Sequence, residues 1–208
     1  MGFIKDYVKS NFDQYAKESW DELKRVTKSV FGYHKGVEEV IAQAKFSHYL
    51  LIKHEIKSGA DTFEIFDIEG KQLYNAKGTF WLGRHHVIVY KGNTKIGEIR
   101  KKLYVFPDID DWHKDRHQCD VFLGTQEINC VEAYRKSEKQ IFKIKGWKIS
   151  YDAKEDAYLL NKNGSQKVQL NEVCRHEYVV GYDDIKQEEE LILLLLSFVQ
   201  INNAIMNR

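Results

Sequence analysis

The sequence predicts a mostly β protein in which about twelve antiparallel strands close into a barrel around a buried, apolar C-terminal helix. Two observations lead to this fold class. From about residue 46 onward the chain alternates apolar and polar residues, as in Phe142 and Ile144 against Lys143 and Lys145, which is the pattern of strands with one buried face. The last helical segment has almost no polar side, so it needs protein all around it. A sheet closed around this helix supplies that environment and leaves no sheet edge exposed.

Turn signals separate the individual strands. IEG at 68–70, KGN at 91–93 and KNG at 162–164 lie between apolar runs, because glycine and asparagine accept the backbone conformations of tight turns. Two segments, FEIFDIEGKQLYNAKG and HVIVYKGNTKIGEIRKK, repeat the order of strand, polar turn and strand. The strands are predicted near residues 46–52, 62–67, 72–77, 86–90, 95–101, 118–123, 127–134, 140–144, 147–151, 157–161, 167–172 and 176–182.

The C-terminal helix is predicted over about residues 185–206. Asp184 and Gln187 have the spacing of a capping box, and three glutamates follow at 188–190, where the helix dipole favours negative charge. Residues 191–206 contain no charge, but a helix of this length reaches about 24 Å, less than the roughly 30 Å hydrocarbon core of a bilayer. We therefore expect a helix buried in protein and not an integral membrane protein. Its second half is interrupted by Ser197, Gln200, Asn202 and Asn203.

The first 45 residues are predicted to form a helical extension outside the barrel domain, which spans residues 46–208. A second helix within this extension is expected to begin at Ser19, which has capping-box spacing with Glu22. The N-terminus lacks the uninterrupted apolar core of a signal peptide, so we expect it to stay on the mature protein. The first helix carries an apolar face formed by Phe3, Ile4, Tyr7, Val8, Phe12 and Tyr15.

Charge and cysteine content narrow the partners and the compartment. The chain has 32 Lys and Arg against 31 Asp and Glu, a net charge of +1, far below the basic footprint of a domain that grips a phosphate backbone. We therefore expect no nucleic-acid partner. The three cysteines are an odd and sparse set, unlike the disulfide framework of a secreted domain. We expect a cytoplasmic protein, either free or peripheral at a membrane surface, and the oligomeric state is left open.

Two segments carry a resemblance to a known family: YLLIKHEIKSGADTFEIFDIEGKQLYNAKGTFWLGRHHVIVYKGNTKIGEIRKKL at 49–103 and EYVVGYDDIKQEEELILLLLSFVQINNAI at 177–205. Their hairpin rhythm, their D-x-x-G and K-x-N turns and the apolar terminal helix resemble the LURP-one-related family, which shares the tubby-like fold with tubby C-terminal domains and phospholipid scramblases. The resemblance covers about residues 46–206 and implies a twelve-stranded barrel with the helix through its centre. It also implies a non-enzymatic binding module for anionic phospholipid head groups or another small ligand.

Basic residues supply the candidate ligand-binding site. One basic run is on the fifth predicted strand, and residues 131–148 hold six Lys or Arg against two Glu. Several cations on one surface bind a phospholipid head group through charge-assisted hydrogen bonds. The alternative is that strand alternation simply places these side chains on a solvated outer face. The predicted ligand-binding residues are Arg100, Lys101, Lys102, Arg135 and Lys136.

No catalytic residue, metal site or cofactor is assigned from the sequence. The segment WHKDRHQC at 112–119 offers His113, His117 and Cys119 as metal ligands, but it lacks the paired cysteine spacing of a zinc site. G-x-S-x-G and the glycine-rich nucleotide motifs are absent from the sequence. We therefore expect a protein that is not an enzyme. Two alternatives stay open, namely an interaction scaffold that uses the N-terminal helices and a metal-dependent enzyme that uses the 108–119 loop.

Overall fold

The computed structural model describes residues 40–41, 46–57, 60–81, 84–102, 117–136, 139–164, 166–183 and 187–206. Over these residues the chain forms twelve strands and a C-terminal helix, the central helix, Glu188–Met206. The strands are β1 His48–Lys57, β2 Ala60–Phe66, β3 Gln72–Trp81, β4 Arg84–Lys91, β5 Thr94–Lys102, β6 His117–Leu123, β7 Gln126–Lys136, β8 Lys139–Ile144, β9 Trp147–Asp152, β10 Ala157–Lys162, β11 Gln166–Cys174 and β12 Glu177–Tyr182.

The strands form a closed antiparallel barrel, which confirms the predicted fold class. Each strand neighbours the next one in the chain, and β1 pairs with β12 to close the sheet. Side chains alternate between the two faces, so that Phe63 and Ile65 on β2 are buried inside while Glu64 between them is exposed. The turns depend on glycine at positive φ, as at Gly92 (59°) and Gly164 (76°), because other side chains rarely adopt this conformation.

The central helix fills the barrel. Every residue from Leu191 to Ile201 is at most 4 % exposed. On β5 the backbone approaches the helix closely, since a Cβ added at Gly97 would lie 2.8 Å from the Cδ1 atom of Leu193. The helix has no polar stripe in its first half because strands surround it on every side.

The central helix begins at Glu188, three residues later than predicted. The carbonyl of Gln187 accepts the first helical hydrogen bond, from the amide of Leu191 at 3.2 Å, so Gln187 occupies the N-cap position. The predicted cap, Asp184, lies outside the described residues. Glutamates of the first turn bond to the barrel wall: the hydroxyl of Tyr74 donates to Glu188 at 2.6 Å, and Lys162 pairs with Glu190 at 3.1 Å. These contacts fix the start of the helix at one mouth of the barrel.

A small apolar patch lies on the outer face of β1 and β12. Leu51 and Val179 are fully buried there, and the helical residues Val40 and Ile41 pack against them. These two residues are the described part of the predicted N-terminal extension. The rest of that extension, including the helix predicted from Ser19, lies outside the described residues.

The barrel is least continuous between β8 and β9. Among the described strands, other neighbours pair along most of their length, whereas β8 and β9 pair only at Ile144 and Trp147, on either side of their turn. The turn itself is held by β7, because the side chain of Asn129 bonds both the amide and the carbonyl of Lys145, each at 3.1 Å. Beyond Ile144 and Trp147, with increasing distance from the turn, the two strands separate. We call this opening the seam.

Candidate functional site

The second half of the central helix places four polar side chains inside the barrel. Ser197, Gln200, Asn202 and Asn203 are each at most 5 % exposed. The hydroxyl of Ser197 donates to the helix carbonyl of Leu193 at 2.7 Å. The other three bond to the strands, as expected because a buried polar group without a partner costs about 1–3 kcal/mol. Gln200, Asn202 and Asn203 thus mark where the helix is tied to the barrel.

Gln200 and Asn203 belong to one continuous set of hydrogen bonds, the helix lock. The Gln200 amide donates to Oδ2 of Asp61 at 2.8 Å. The other oxygen of Asp61 lies 2.8 Å from Nε2 of His54, and Nδ1 of His54 lies 2.7 Å from the Asn203 amide nitrogen. The hydroxyl of Tyr178 donates to the Asn203 side-chain oxygen at 2.7 Å. The lock therefore joins the helix to β1, β2 and β12.

The helix lock is not arranged for nucleophilic catalysis. Both ring nitrogens of His54 are engaged, Nδ1 by the Asn203 amide and Nε2 by Asp61, so neither faces a nucleophile. The thiol of Cys119 lies 3.8 Å from the Gln200 oxygen, and burial raises its pKa to about 12, so it stays protonated at neutral pH. We interpret these groups as structural.

A cleft opens at the wide end of the seam, between Gln140 on β8 and Tyr151 on β9, and extends past the β9–β10 and β11–β12 turns to the central helix. Its volume is ≈ 960 Å³, near the upper end of the roughly 300–1,000 Å³ typical of small-molecule sites. Its floor is Asn202, whose side-chain oxygen lies 3.3 Å from both the Gln140 amide and the Tyr158 hydroxyl, two donors on β8 and β10. We call this space the seam cleft. The rest of its lining comes from Tyr151, Ala153, Asp156, Leu170, Glu172, Val173, Cys174, Arg175 and Tyr178.

Aromatic rings support one wall of the seam cleft. The ring centroids of Tyr158 and Phe198 are 4.9 Å apart, and Phe142 lies 4.2 Å from Phe198. Tyr151, which is 53 % exposed, lies 5.2 Å from Tyr158 at the entrance. Burial raises the pKa of Tyr158 to about 12, so its hydroxyl remains a donor at neutral pH. An aromatic wall beside an amide floor suits a ligand that has both an apolar and a polar part.

Lysines stand on the outer rim of the seam. Lys143 on β8, Lys145 in the turn and Lys148 on β9 are all exposed. Lys143 lies over the ring of Tyr134, 5.1 Å from its centroid, and is opposite Glu132 in register. Three lysines against one glutamate and, farther along β9, one aspartate make this part of the rim positive.

Two of the predicted ligand-binding residues end a strand beside the seam. Arg135 pairs with Gln140, which lines the seam cleft, and Lys136 pairs with Lys139. The structure describes the backbone of Arg135 and Lys136 but not their side chains. Their role in ligand binding stays a prediction.

The predicted basic run on β5 is divided between the two faces of the barrel. Arg100 and Lys102 lie on the outer face, where Lys102 pairs with Asp120 at 3.0 Å. Lys101 is opposite Cys119 in register, and the Cys119 thiol contacts the central helix, so Lys101 belongs to the inner face. The three residues therefore do not share one surface.

A buried carboxylate, Glu98, contacts Arg100, one of the two residues of the run on the outer face. Glu98, which is 4 % exposed, contacts Arg100, Lys95 at 2.6 Å and His86 at 3.1 Å. Burial alone would raise the pKa of Glu98, but the hydrogen bonds from Lys95 and Arg100 outweigh burial and lower the pKa to about 2. Much of the positive charge of the run is therefore balanced within the protein.

The metal alternative is covered only in part by the structure. Residues 103–116, including His113, lie outside the described residues. His117 and Cys119 are both buried on β6. Within the described ranges, no three His, Cys, Asp or Glu side chains are grouped as a metal site requires.

A smaller groove of ≈ 560 Å³ lies on the outer face of β1 to β4. Its charged residues are balanced, with Lys53 and Lys77 against Glu55 and Glu64. The seam cleft is larger and reaches the central helix, so we take it as the candidate site.

Comparisons with known proteins do not assign the chain to a family. No protein-family model, no curated protein and no solved structure matches it. None of the helices in the described part of the chain has the length and apolar character needed to cross a membrane. The functional proposal therefore rests on the seam cleft.

Proposed function

We propose that this protein is a non-enzymatic, tubby-like binding module that holds an amphipathic ligand in the seam cleft. The observation that carries the proposal is the separation of β8 from β9 after a single residue pair, at Ile144 and Trp147. At the wide end of this separation, Gln140 and Tyr151 line the cleft whose floor is Asn202 on the otherwise enclosed helix. The open seam gives up sheet hydrogen bonds that a closed hairpin would make, so its backbone donors and acceptors are available to a ligand.

The lining defines the kind of ligand. Tyr158 and Leu170 offer apolar surface to a hydrophobic group, while Gln140 and Asn202 offer amide donors and acceptors to a polar one. The rim lysines lie outside the lining, on the outer face of the barrel, and attract an anionic group to that face. The charged residues of the lining itself are Asp156, Glu172 and Arg175. The rim replaces the β5 run as the expected meeting point for negative charge, because Arg100 and Lys102 already have carboxylate partners and Lys101 lies on the inner face.

The apolar patch on β1 and β12 weighs against the scaffold alternative. Val40 and Ile41 pack on Leu51 and Val179 of the same chain, so this part of the N-terminal extension is engaged with its own barrel. Light scattering of the full chain and of a chain without residues 1–45 tests the alternative. Self-association that depends on those residues would revive it.

The proposal is tested with 1-anilinonaphthalene-8-sulfonate, an anionic aromatic dye whose fluorescence rises in apolar sites. We expect saturable binding to the native protein. Ala153 is exposed at the entrance of the cleft and Thr125 is exposed in the turn between β6 and β7, so Ala153→Trp should block the dye and Thr125→Trp should not. Far-ultraviolet circular dichroism checks that both variants are folded. If the dye fails to saturate, or binds both variants as it binds the native protein, the seam cleft is not the ligand site.

A further inference from the structure

The seam exposes two strand edges that face each other. β8 pairs with β7 through all six of its residues, and β9 pairs with β10 through all six, but across the seam the register contains only Ile144 and Trp147. The backbone N–H and C=O groups that residues 139–143 and 148–152 direct into the seam therefore have no partner strand among the described strands. Such an edge is a template for another strand.

We infer that the ligand of the seam cleft is an extended acidic peptide that adds to one of these edges as a further strand. The inference rests on the proposed function and names its ligand class. A peptide backbone offers donors and acceptors alternately at the strand spacing of about 3.4 Å, which is what a strand edge needs. A lipid head group and acyl chain do not offer that series.

Inward side chains of the added strand would enter the seam cleft. Successive residues of a strand point to opposite faces, so every second residue would meet the partly buried inner side chains that border the seam. Phe142 on β8 and Ile149 on β9 belong to this set, and Tyr158 on the neighbouring β10 lines the cleft; all three pack against the barrel core. Apolar residues are therefore expected at alternate positions of the peptide.

Outward side chains of the same strand would meet the rim lysines. Lys143 and Lys148 are exposed on the outer faces of β8 and β9, directly beside the added strand. Glu132 lies opposite Lys143 on β7, and Asp152 shares a face of β9 with Lys148. The described rim therefore has three lysines against two carboxylates. Acidic residues are expected at the positions between the apolar ones, because unlike charges on neighbouring strands stabilise the pairing.

Lysine is also the residue that strand edges use to avoid pairing with copies of themselves. With lysine on both sides of the seam, an edge from another copy of this chain would bring like charges together. An acidic strand meets no such repulsion. The charge pattern thus favours a peptide from a different protein.

Three probes test the inference on the full chain. The first is the acetylated and amidated peptide Glu-Val-Glu-Phe-Glu-Val-Glu with a fluorescent label, measured by anisotropy. The second has the same side chains, but its amide nitrogens along both edges are methylated, which removes the backbone donors and keeps the charge. The third is a vesicle of phosphatidylcholine with phosphatidylserine. Dye displacement reports whether a bound probe occupies the seam cleft.

We expect the first peptide to bind and to displace the dye, and backbone methylation to weaken its binding at least about tenfold because several hydrogen bonds are lost. The double change Lys143→Glu and Lys148→Glu should weaken it by about tenfold at low salt, and less at high salt. Lys77→Glu, an exposed charge reversal on β3, is the matched control and should leave affinity within about twofold.

The outcomes separate the inference from the proposed function. Dye binding that Ala153→Trp blocks, together with no peptide binding, overturns the peptide assignment and leaves the cleft as a ligand site. Equal affinity for the methylated and parent peptides also overturns it, since strand addition needs the backbone donors. If the vesicle displaces the dye and the peptide does not, the site is assigned to lipid. Failure of the dye itself removes the proposed function.

Discussion

Gln200 on the central helix donates a hydrogen bond to Asp61 on β2, at 2.8 Å and across 139 residues of sequence. Asp61 in turn lies 2.8 Å from His54 on β1, whose ring is stacked on Phe63 at a centroid distance of 4.3 Å. The first half of the helix is apolar on all faces, so burial alone does not fix how the helix is rotated about its axis. Directional bonds such as this one select a single rotation, as buried polar networks do where all their members are satisfied.

Replacing Gln200 by leucine should therefore destabilise the barrel. The change removes one donor from a partly buried carboxylate, and we expect a loss of about 1–3 kcal/mol in the free energy of unfolding. Urea unfolding followed by circular dichroism measures it. Gln72→Leu on β3, where the side chain is exposed, is the matched control and should change stability by less than about 0.5 kcal/mol. Equal effects of the two changes would show that the helix lock contributes nothing.

Glu98 should make the stability of the barrel depend on pH in the acid range. Its pKa is lowered from 4.5 to about 2 because hydrogen bonds from Lys95 and Arg100 outweigh the opposing effect of burial. Because the pKa is lower in the folded state, the ionised Glu98 contributes to the free energy of unfolding above pH 4.5. This contribution to stability is lost as the pH falls toward 2. A shift of this size corresponds to roughly 3 kcal/mol as an upper bound.

The measurement compares the native protein with Glu98→Gln by urea unfolding between pH 7 and pH 2. The stability difference between the two should be largest above pH 5 and shrink as the pH falls. Glu64→Gln, an exposed change of the same kind on β2, is the matched control. A difference that stays constant with pH would contradict the assigned role of the Glu98 carboxylate.

The three thiols should differ in reactivity toward N-ethylmaleimide. Cys174 lines the seam cleft and is half-buried, so it should react first. Burial raises the pKa of Cys130 to about 11 and that of the fully buried Cys119 to about 12, and the thiolate is the reactive form. Cys119 should therefore react last, slower than Cys174 by on the order of a hundredfold, since it also needs the barrel to open.

Mass spectrometry of tryptic fragments over time gives the order of labelling. A dye bound in the seam cleft should slow the labelling of Cys174 and leave Cys130 unchanged. Rapid labelling of Cys119 in the native protein would mean that the interior of the barrel is open to reagents.

All twelve strands could be predicted from the sequence because apolar alternation is a local signal. The first strand shows its limit: it was predicted to end at residue 52, whereas β1 continues to Lys57. The next inward position is His54, a polar residue that breaks the alternation. It is buried because Asp61 and Asn203 satisfy both of its ring nitrogens, and those partners are not adjacent in sequence.

The candidate site was less predictable than the fold. Arg100, Lys101 and Lys102 are consecutive in sequence, and consecutive residues of a strand face opposite sides, so a basic run is not a basic surface. The seam gives no local signal, because FKIKGWKIS at 142–150 has the alternation of an ordinary paired hairpin. Its opening depends on tertiary contacts such as the anchoring of Lys145 by Asn129. The polar residues that interrupt the apolar helix are visible in the sequence. That one of them, Asn202, lies beneath a cleft is not.

Hydrogen exchange of backbone amides tests the seam directly. Amides that β8 and β9 direct toward the seam are not protected by a ladder, so they should exchange faster than the amides of β10 and β11, which are paired on both sides. The amides of the central helix from Leu193 to Ile201 should be the slowest, since their exchange requires the barrel to open. Binding of the acidic peptide should selectively slow the seam amides of the strand that it joins, because these amides gain backbone acceptors. Protection of β8 and β9 equal to that of β10 in the free protein would mean that the hairpin is closed in solution, and strand addition at the seam would then have no edge to use.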